Sequence, residues 1–249
     1  MKKILVTISL FFAVNYFTVN VFAETGIEVL KAAATAMNYE KYKEFKTLQI
    51  RATLHVFTVG GQNQRVGMRV MSKGDDLLRF EQTFMGKDEV YVITEDAFFK
   101  LKPVFQEMDK TDAEYVQIVS FLSMMLPTSM FAMIDSLDEE KVIVELLDNE
   151  KFQGKNAKKV RIAPKELPAN APAEAAEGQT FYFDAMTNWF LGMDATPKVS
   201  LVFESMKRLK GFVYPTVIKV MVEGKKQQEI EINKMEADIE LSDSLFARP

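Results

Sequence analysis

The chain contains no cysteine, one histidine and one tryptophan among its 249 residues. Without cysteine there is no disulfide to staple the fold, no thiol nucleophile, and no lipid-modified cysteine of the bacterial lipoprotein kind. With His55 as the single histidine, metal sites built on His or Cys cannot be assembled. A serine triad would have to use His55, and no G-x-S-x-G elbow accompanies it. Walker and dinucleotide glycine patterns are missing too. Positive charge is in short supply: 31 Lys and Arg stand against 35 Asp and Glu, a formal net charge of −4 spread along the chain. Nucleic acid, which calls for a basic face, is therefore not an expected partner. Paired carboxylates of the glycosidase type stay conceivable. The acid pairs Asp75-Asp76 and Glu139-Glu140 fall at turns and helix edges, however, where acids occur anyway. Polymer-degrading sites also tend to expose tryptophans, and here there is Trp189 alone. The expectation is a non-enzyme without metal or cofactor.

The first residues carry an address. Lys2 and Lys3 precede an apolar stretch from Ile4 to about Val14, and Val21-Phe22-Ala23 supplies a small-residue cleavage pattern. This predicts a secretory signal over residues 1–23, cut between Ala23 and Glu24, and an exported product that is soluble after cleavage. An uncleaved anchor is the competing reading, since Ile4 to Phe22 could nearly cross a bilayer; Asn15 and Asn20 interrupt it. Removing the segment takes away two lysines and no acid, so the rest is more acidic. Residues 24–249 suit one β-rich domain.

The spacing of Ile27, Leu30, Ala34 and Met37 predicts a helix. From Leu48 the period becomes two: Leu48, Ile50, Ala52, Leu54 and Val56 point one way, and Gln49, Arg51, Thr53 and His55 the other. That puts His55 on a solvated face. A turn at Gly60–Asn63 leads to Val66, Met68 and Val70, and Gly74-Asp75 leads to Leu78, Phe80 and Phe84. Short runs at Val90–Thr94 and Ala97–Leu101 complete an antiparallel meander. The Thr111-Asp-Ala-Glu114 stretch reads as a capping box. It opens a helix from about Asp112 to Leu126, which Pro127 stops. Its apolar residues cover more than one face, and Met124, Met125, Met130 and Met133 add shape-adaptable side chains. Strands resume at Val142–Leu147 and Lys158–Ala163. Pro164–Gly178 has no period and reads as a mobile loop within the domain. Thr180–Asp184, Trp189–Met193, Val199–Met206, Thr216–Val222 and Gln228–Met235 follow. The sum is a mostly β, α+β architecture of about ten strands and two helical segments.

Phe181-Tyr-Phe-Asp-Ala-Met-Thr-Asn188, followed by Trp189-Phe-Leu, is an aromatic run, an Asp and a Thr on a strand–turn–strand unit. Leu209-Lys-Gly-Phe-Val-Tyr-Pro215 places G-x-x-x-P before a long strand, and Leu241-Ser-Asp-Ser-Leu-Phe246 carries D-x-x-F near the end. Together with Lys46–Ile50 and Asp76–Phe80, these stretches resemble the outer-membrane lipoprotein-sorting proteins, relatives of the periplasmic lipoprotein carrier LolA. The resemblance implies a periplasmic location and a curved antiparallel sheet, a half-open barrel whose mouth is closed by helices over an apolar cavity. Its implied ligands are lipids or lipoprotein acyl chains. Leu48, Ile50, Leu54, Val56 and Phe80 are the expected cavity wall. Phe121, Leu122, Met125, Phe131 and Met133 are the expected contacts of a lid at about 111–137. The carrier's lid-latching arginine has its counterpart in Arg79, although no proline precedes that strand here. Alternation sets Arg79 opposite Leu78 and Phe80 and leaves its facing open. The alternative function is a periplasmic regulatory or sensory module that captures a membrane-protein partner with the same fold.

Overall fold

The computed structural model describes residues 24–57, 63–74, 76–125, 131, 134–167 and 177–248. The signal segment, Gly60–Gln62, Pro127, Met130, Met133 and most of the Pro/Ala/Glu loop lie outside them.

Helix α1 (Gly26–Ala36) begins at a capping box. The Glu28 amide donates to Thr25 Oγ1 at 3.2 Å, and the Thr25 amide donates back to Glu28 Oε2 at 2.7 Å. Val29, Leu30 and Ala33 form its buried face. A short helix α2 (Tyr39–Lys43) follows, entered through Asn38 in the left-handed region at φ 56°. Sequence periodicity assigns no element there, because five residues are too few to show a helical period.

The strands are β1 (Thr47–Phe57), β2 (Asn63–Lys73), β3 (Leu77–Phe84), β4 (Lys87–Ile93), β5 (Phe98–Lys102) and β6 (Gln106–Met108). After α3 (Ala113–Met125) come β7 (Val142–Phe152), β8 (Lys155–Pro164), β9 (Gln179–Asp184), β10 (Phe190–Thr196), β11 (Val199–Leu209), β12 (Phe212–Val222) and β13 (Lys225–Ala237). They form one thirteen-stranded sheet in the order β6-β5-β4-β3-β2-β1-β13-β12-β11-β10-β9-β8-β7. Every neighbour is antiparallel and nearly all are joined by hairpins. The exception is the central seam, where Leu48 lies opposite Ala237 and Val56 opposite Gln228. Curling without closing, the sheet makes a half-open barrel with β6 and β7 as its two edges. Between β6 and β7 in the chain lies α3, which packs on one face of β3, β4 and β5.

Apolar alternation explains the main core. Ile50, Val70, Phe80, Phe183 and Ile230 point from the sheet into one cluster with Leu30 of α1 and Leu122 of α3. A second cluster sits on the opposite, convex face. There Met71, Val92 and Phe99 are covered by Leu241 and Phe246 of the C-terminal segment. The D-x-x-F stretch thus straps the back of the sheet: Lys73 pairs with Asp243, and Phe246 is buried.

Two surface expectations on β1 are corrected. His55 is 8% exposed and Gln49 is 3% exposed. In mid-sheet, long cross-strand neighbours close over short ones. His55 lies between Arg65 and Glu229, with its Nε2 3.5 Å from Glu231. Gln49 donates to Glu236 at 3.0 Å and accepts from Arg69 Nε at 2.7 Å.

Candidate functional site

The helix-covered face of the sheet is where the sequence-predicted wall and lid meet. Leu48, Ile50 and Phe80 are buried there with Leu122, Met125 and Phe131, while Leu54 and Phe121 are half-buried against the same cluster. Val56 is half-buried further along β1. On α3, Ile118, Leu122 and Met125 make one buried face and Val116 stands 51% exposed opposite it. Among the described residues of α3, the apolar arc comprises this packed stripe, half-buried Tyr115, Val119 and Phe121, and the exposed valine. Aromatic pairs join this segment to both sides of the barrel. Tyr115 meets Phe98 at 5.0 Å between ring centroids, Phe121 meets Phe80 at 5.9 Å, and Phe131 stacks on Tyr39 of α2 at 4.7 Å. Such pairs contribute about 0.5–1.5 kcal/mol each beyond burial.

The latch expected at Arg79 is elsewhere. Arg79 lies on the convex face, across β3 from Phe80. Its Nε donates to Glu81 at 2.7 Å and its Nη1 to the Leu245 carbonyl at 2.7 Å. It fastens the C-terminal strap. The Thr111 capping box is also absent. Asp109 takes the Thr111 amide at 2.8 Å and its hydroxyl at 2.7 Å instead. Glu114 is drawn to the sheet, because a cation lies within reach there and a charge-assisted bond outweighs a neutral cap.

That cation is Lys100. Its Nζ stands 2.9 Å from Glu114 and 3.2 Å from Glu89, and the Tyr91 hydroxyl donates to Glu114 at 2.5 Å. Gln82 donates to the other oxygen of Glu89. The five residues link α3 to β3, β4 and β5. Tyr91 and Lys100 are cross-strand partners, and Tyr91 is in turn the partner of Phe80, so all lie on the helix-covered face. The hydrogen bond from Tyr91, followed by Lys100, holds the Glu114 carboxyl below its ordinary value. Burial works against ionisation at Glu89, but Gln82 and Lys100 outweigh it and the net shift is also downward. Sequence offered one signal for this network: Lys100 shares the alternation row of Phe98, an unusual place for a lysine.

A depressed carboxyl contributes stability that is complete above its unfolded value and is lost as pH falls through the folded one. The melting temperature should hold from neutrality down to the ordinary glutamate value of 4.5 and decline below it. Glu114→Gln should show a shallower decline in a pH series of thermal melts. Superimposable acid limbs would mean that the pair does not anchor α3.

One row further along the same strands, a pocket of about 320 Å³ opens over Gln64, Val66, Gln82, Phe84, Lys87 and Glu89. That is the lower end of the range for ligand pockets, about 300–1,000 Å³. Among the described residues, no group of three or more Asp, Glu or His could hold a metal ion.

No protein-family model and no curated protein matches the sequence. Solved structures do match. A LolA superfamily protein from Nitrosomonas europaea superposes with a TM-score of 0.56 at 10% identity, covering 91% of this chain and 99% of that one. The chain has a LolA-like fold. A protein described as an outer membrane lipoprotein-sorting protein domain, from Vibrio parahaemolyticus, gives 0.51 at 13% identity over 87% of this chain and 97% of its own. A DUF1329 family protein from Desulfovibrio piger gives 0.51 at 15% identity, over 88% and 97%. The motif turn found in the sequence has a clear local basis. Asp184 Oδ1 accepts from the amides of Met186 at 2.9 Å and Thr187 at 2.8 Å, which shapes the β9–β10 connection.

Proposed function

We propose that this protein is a periplasmic, non-catalytic carrier of lipid-like ligands. On this reading it is exported by cleavage after Ala23 and folds as one domain. Acyl chains of lipoproteins or of other lipids lie between the sheet and α3. The observation that carries the reading is the way α3 is held against the helix-covered face of β3, β4 and β5. A strand-paired element would be hard to lift, but α3 meets the sheet through side chains, chiefly aromatic rings and Met125. An element held in this way can move outward and repack on an alkyl chain. The LolA-like fold supports the reading, since one matching structure is named for lipoprotein sorting. Among the described residues, no helix is long and apolar enough to cross a membrane.

The test is extraction of the exported protein from its native host, followed by lipid mass spectrometry. Acyl species in near-stoichiometric amount are expected. An empty extract, together with failure of the stripped protein to take up a fluorescent fatty-acid probe, would defeat the carrier reading.

A further inference from the structure

A simple greasy cavity has no use for a lysine among its aromatic rings, and Lys100 is such a lysine. Its side chain is 15% exposed, and its Nζ lies 5.0 Å from the centre of the Tyr91 ring. We propose that Lys100 and the Tyr91 hydroxyl form the seat for the anionic head of an acyl amphiphile, a carboxylate or phosphate, and that Glu114 occupies this seat when the protein is empty. Ligand entry and release of α3 are then a single exchange. The inference rests on the carrier reading and adds the ligand's head group to it.

The charges around Lys100 are unequal in kind. Glu89 belongs to the adjacent strand and is further held by Gln82, so it is a fixed neutraliser. Glu114 comes from the lid helix, is 39% exposed and is the second carboxylate on one ammonium. A third anion arriving beside both would meet net negative charge and be repelled. It can be seated only if Glu114 leaves. Leaving is easy, since Glu114 sits in the first turn of α3, where water and the positive end of the helix still favour its ionised form. The head then inherits the Tyr91 and Lys100 bonds that Glu114 gave up. The tail finds a continuous apolar path from Tyr91 along Phe80 and Phe121 to Leu122 and Met125. The pocket over Gln82 and Glu89 borders the same network and provides the approach from solvent. A neutral head makes no use of the seat, so an otherwise identical tail binds without the gain that Lys100 and the Tyr91 hydroxyl supply.

The experiment titrates the full exported chain with three lipids of one tail: palmitate, palmitoyl lysophosphatidate and monopalmitin. Displacement of a fluorescent probe reports binding, and melting curves report folding. Wild type should prefer an anionic lipid over monopalmitin, and whichever anion binds tighter identifies the head. Lys100→Gln should weaken the anionic lipids about tenfold, equivalent to roughly one charge-assisted hydrogen bond, and leave monopalmitin unchanged. Lys100→Arg should restore most of the loss. Glu114→Gln should tighten the anionic lipids, because the internal competitor is gone. Tyr91→Phe keeps the ring and removes only the hydroxyl, so it serves if Lys100→Gln does not fold, and it should weaken the anions alone. Equal effects on anionic and neutral lipids, or none on either, would overturn the seat while leaving lipid binding intact. Failure of wild type to bind all three would overturn the carrier reading and the seat with it.

Discussion

Ile50→Asp should abolish the folded state or leave it barely populated at ambient temperature, read as the loss of a cooperative urea transition. Ile50 is 0% exposed at the centre of β1, between Val70 and Met235 on the neighbouring strands. The substitution removes a core side chain and buries a carboxylate without a partner, a combination that exceeds about 4–5 kcal/mol. That is comparable with the whole stability of a typical domain, about 5–15 kcal/mol. The adjacent Gln49→Asp is the comparison. Simple alternation makes position 49 a solvent-facing site where a charge is harmless. The structure instead shows Gln49 bridging Arg69 and Glu236, and an aspartate would lose the amide donor and confront Glu236. A cost of about 1–3 kcal/mol is expected. If Ile50→Asp unfolded no more easily than Gln49→Asp, the register of β1 would be wrong.

The second large effect concerns α3 and its continuation. Met125 and Phe131 are each 0% exposed. Truncation to alanine should cost about 2–5 kcal/mol at Met125 and about 3–5 kcal/mol at Phe131, where the stack on Tyr39 is also lost. Stability alone does not separate a lid from a permanent core, because both bury these side chains when the protein is empty. Binding does. If residues 109–141 move to admit an acyl chain, the folded fraction of each variant should bind a fatty-acid probe with altered affinity. Full loss of stability with unaltered probe binding would make this segment ordinary core and defeat the lid reading.

Most strands were legible because a one-sided buried sheet forces strict alternation, as in Leu48-Ile50-Ala52. Elements too short to carry a period escaped notice: α2 and the three-residue edge strand β6. Facing was harder than existence. Gln49 and His55 look exposed by type and are buried by their neighbours' length, which only the cross-strand partners reveal. Arg79 and Lys100 show the same limit at the candidate site. Both are cations on strands, yet one secures a strap behind the sheet and the other meets α3. The capping pattern misled for an electrostatic reason. Thr25 and Glu28 close a box because no stronger bond competes for Glu28, whereas Lys100 and Tyr91 claim Glu114. Pairing of β1 with β13 had no local signal at all, since nothing in either strand names a partner some 180 residues away.

That seam also decides when the protein can come into being. Hairpins from Thr47 to Met108 and from Val142 to Ala237 can each assemble as they are synthesised, since their contacts are local. Their union needs β1 to wait for β13, and pairings so distant along a chain are slow to find. Until then β1 is a bare edge of eleven residues, rich in Leu, Ile and Val and open to any passing strand. Quality control thus has a sharp criterion to act on. A chain interrupted before Lys225 lacks β13 and leaves that edge of β1 unpaired, whereas a chain that reaches Ala237 buries it between two neighbours.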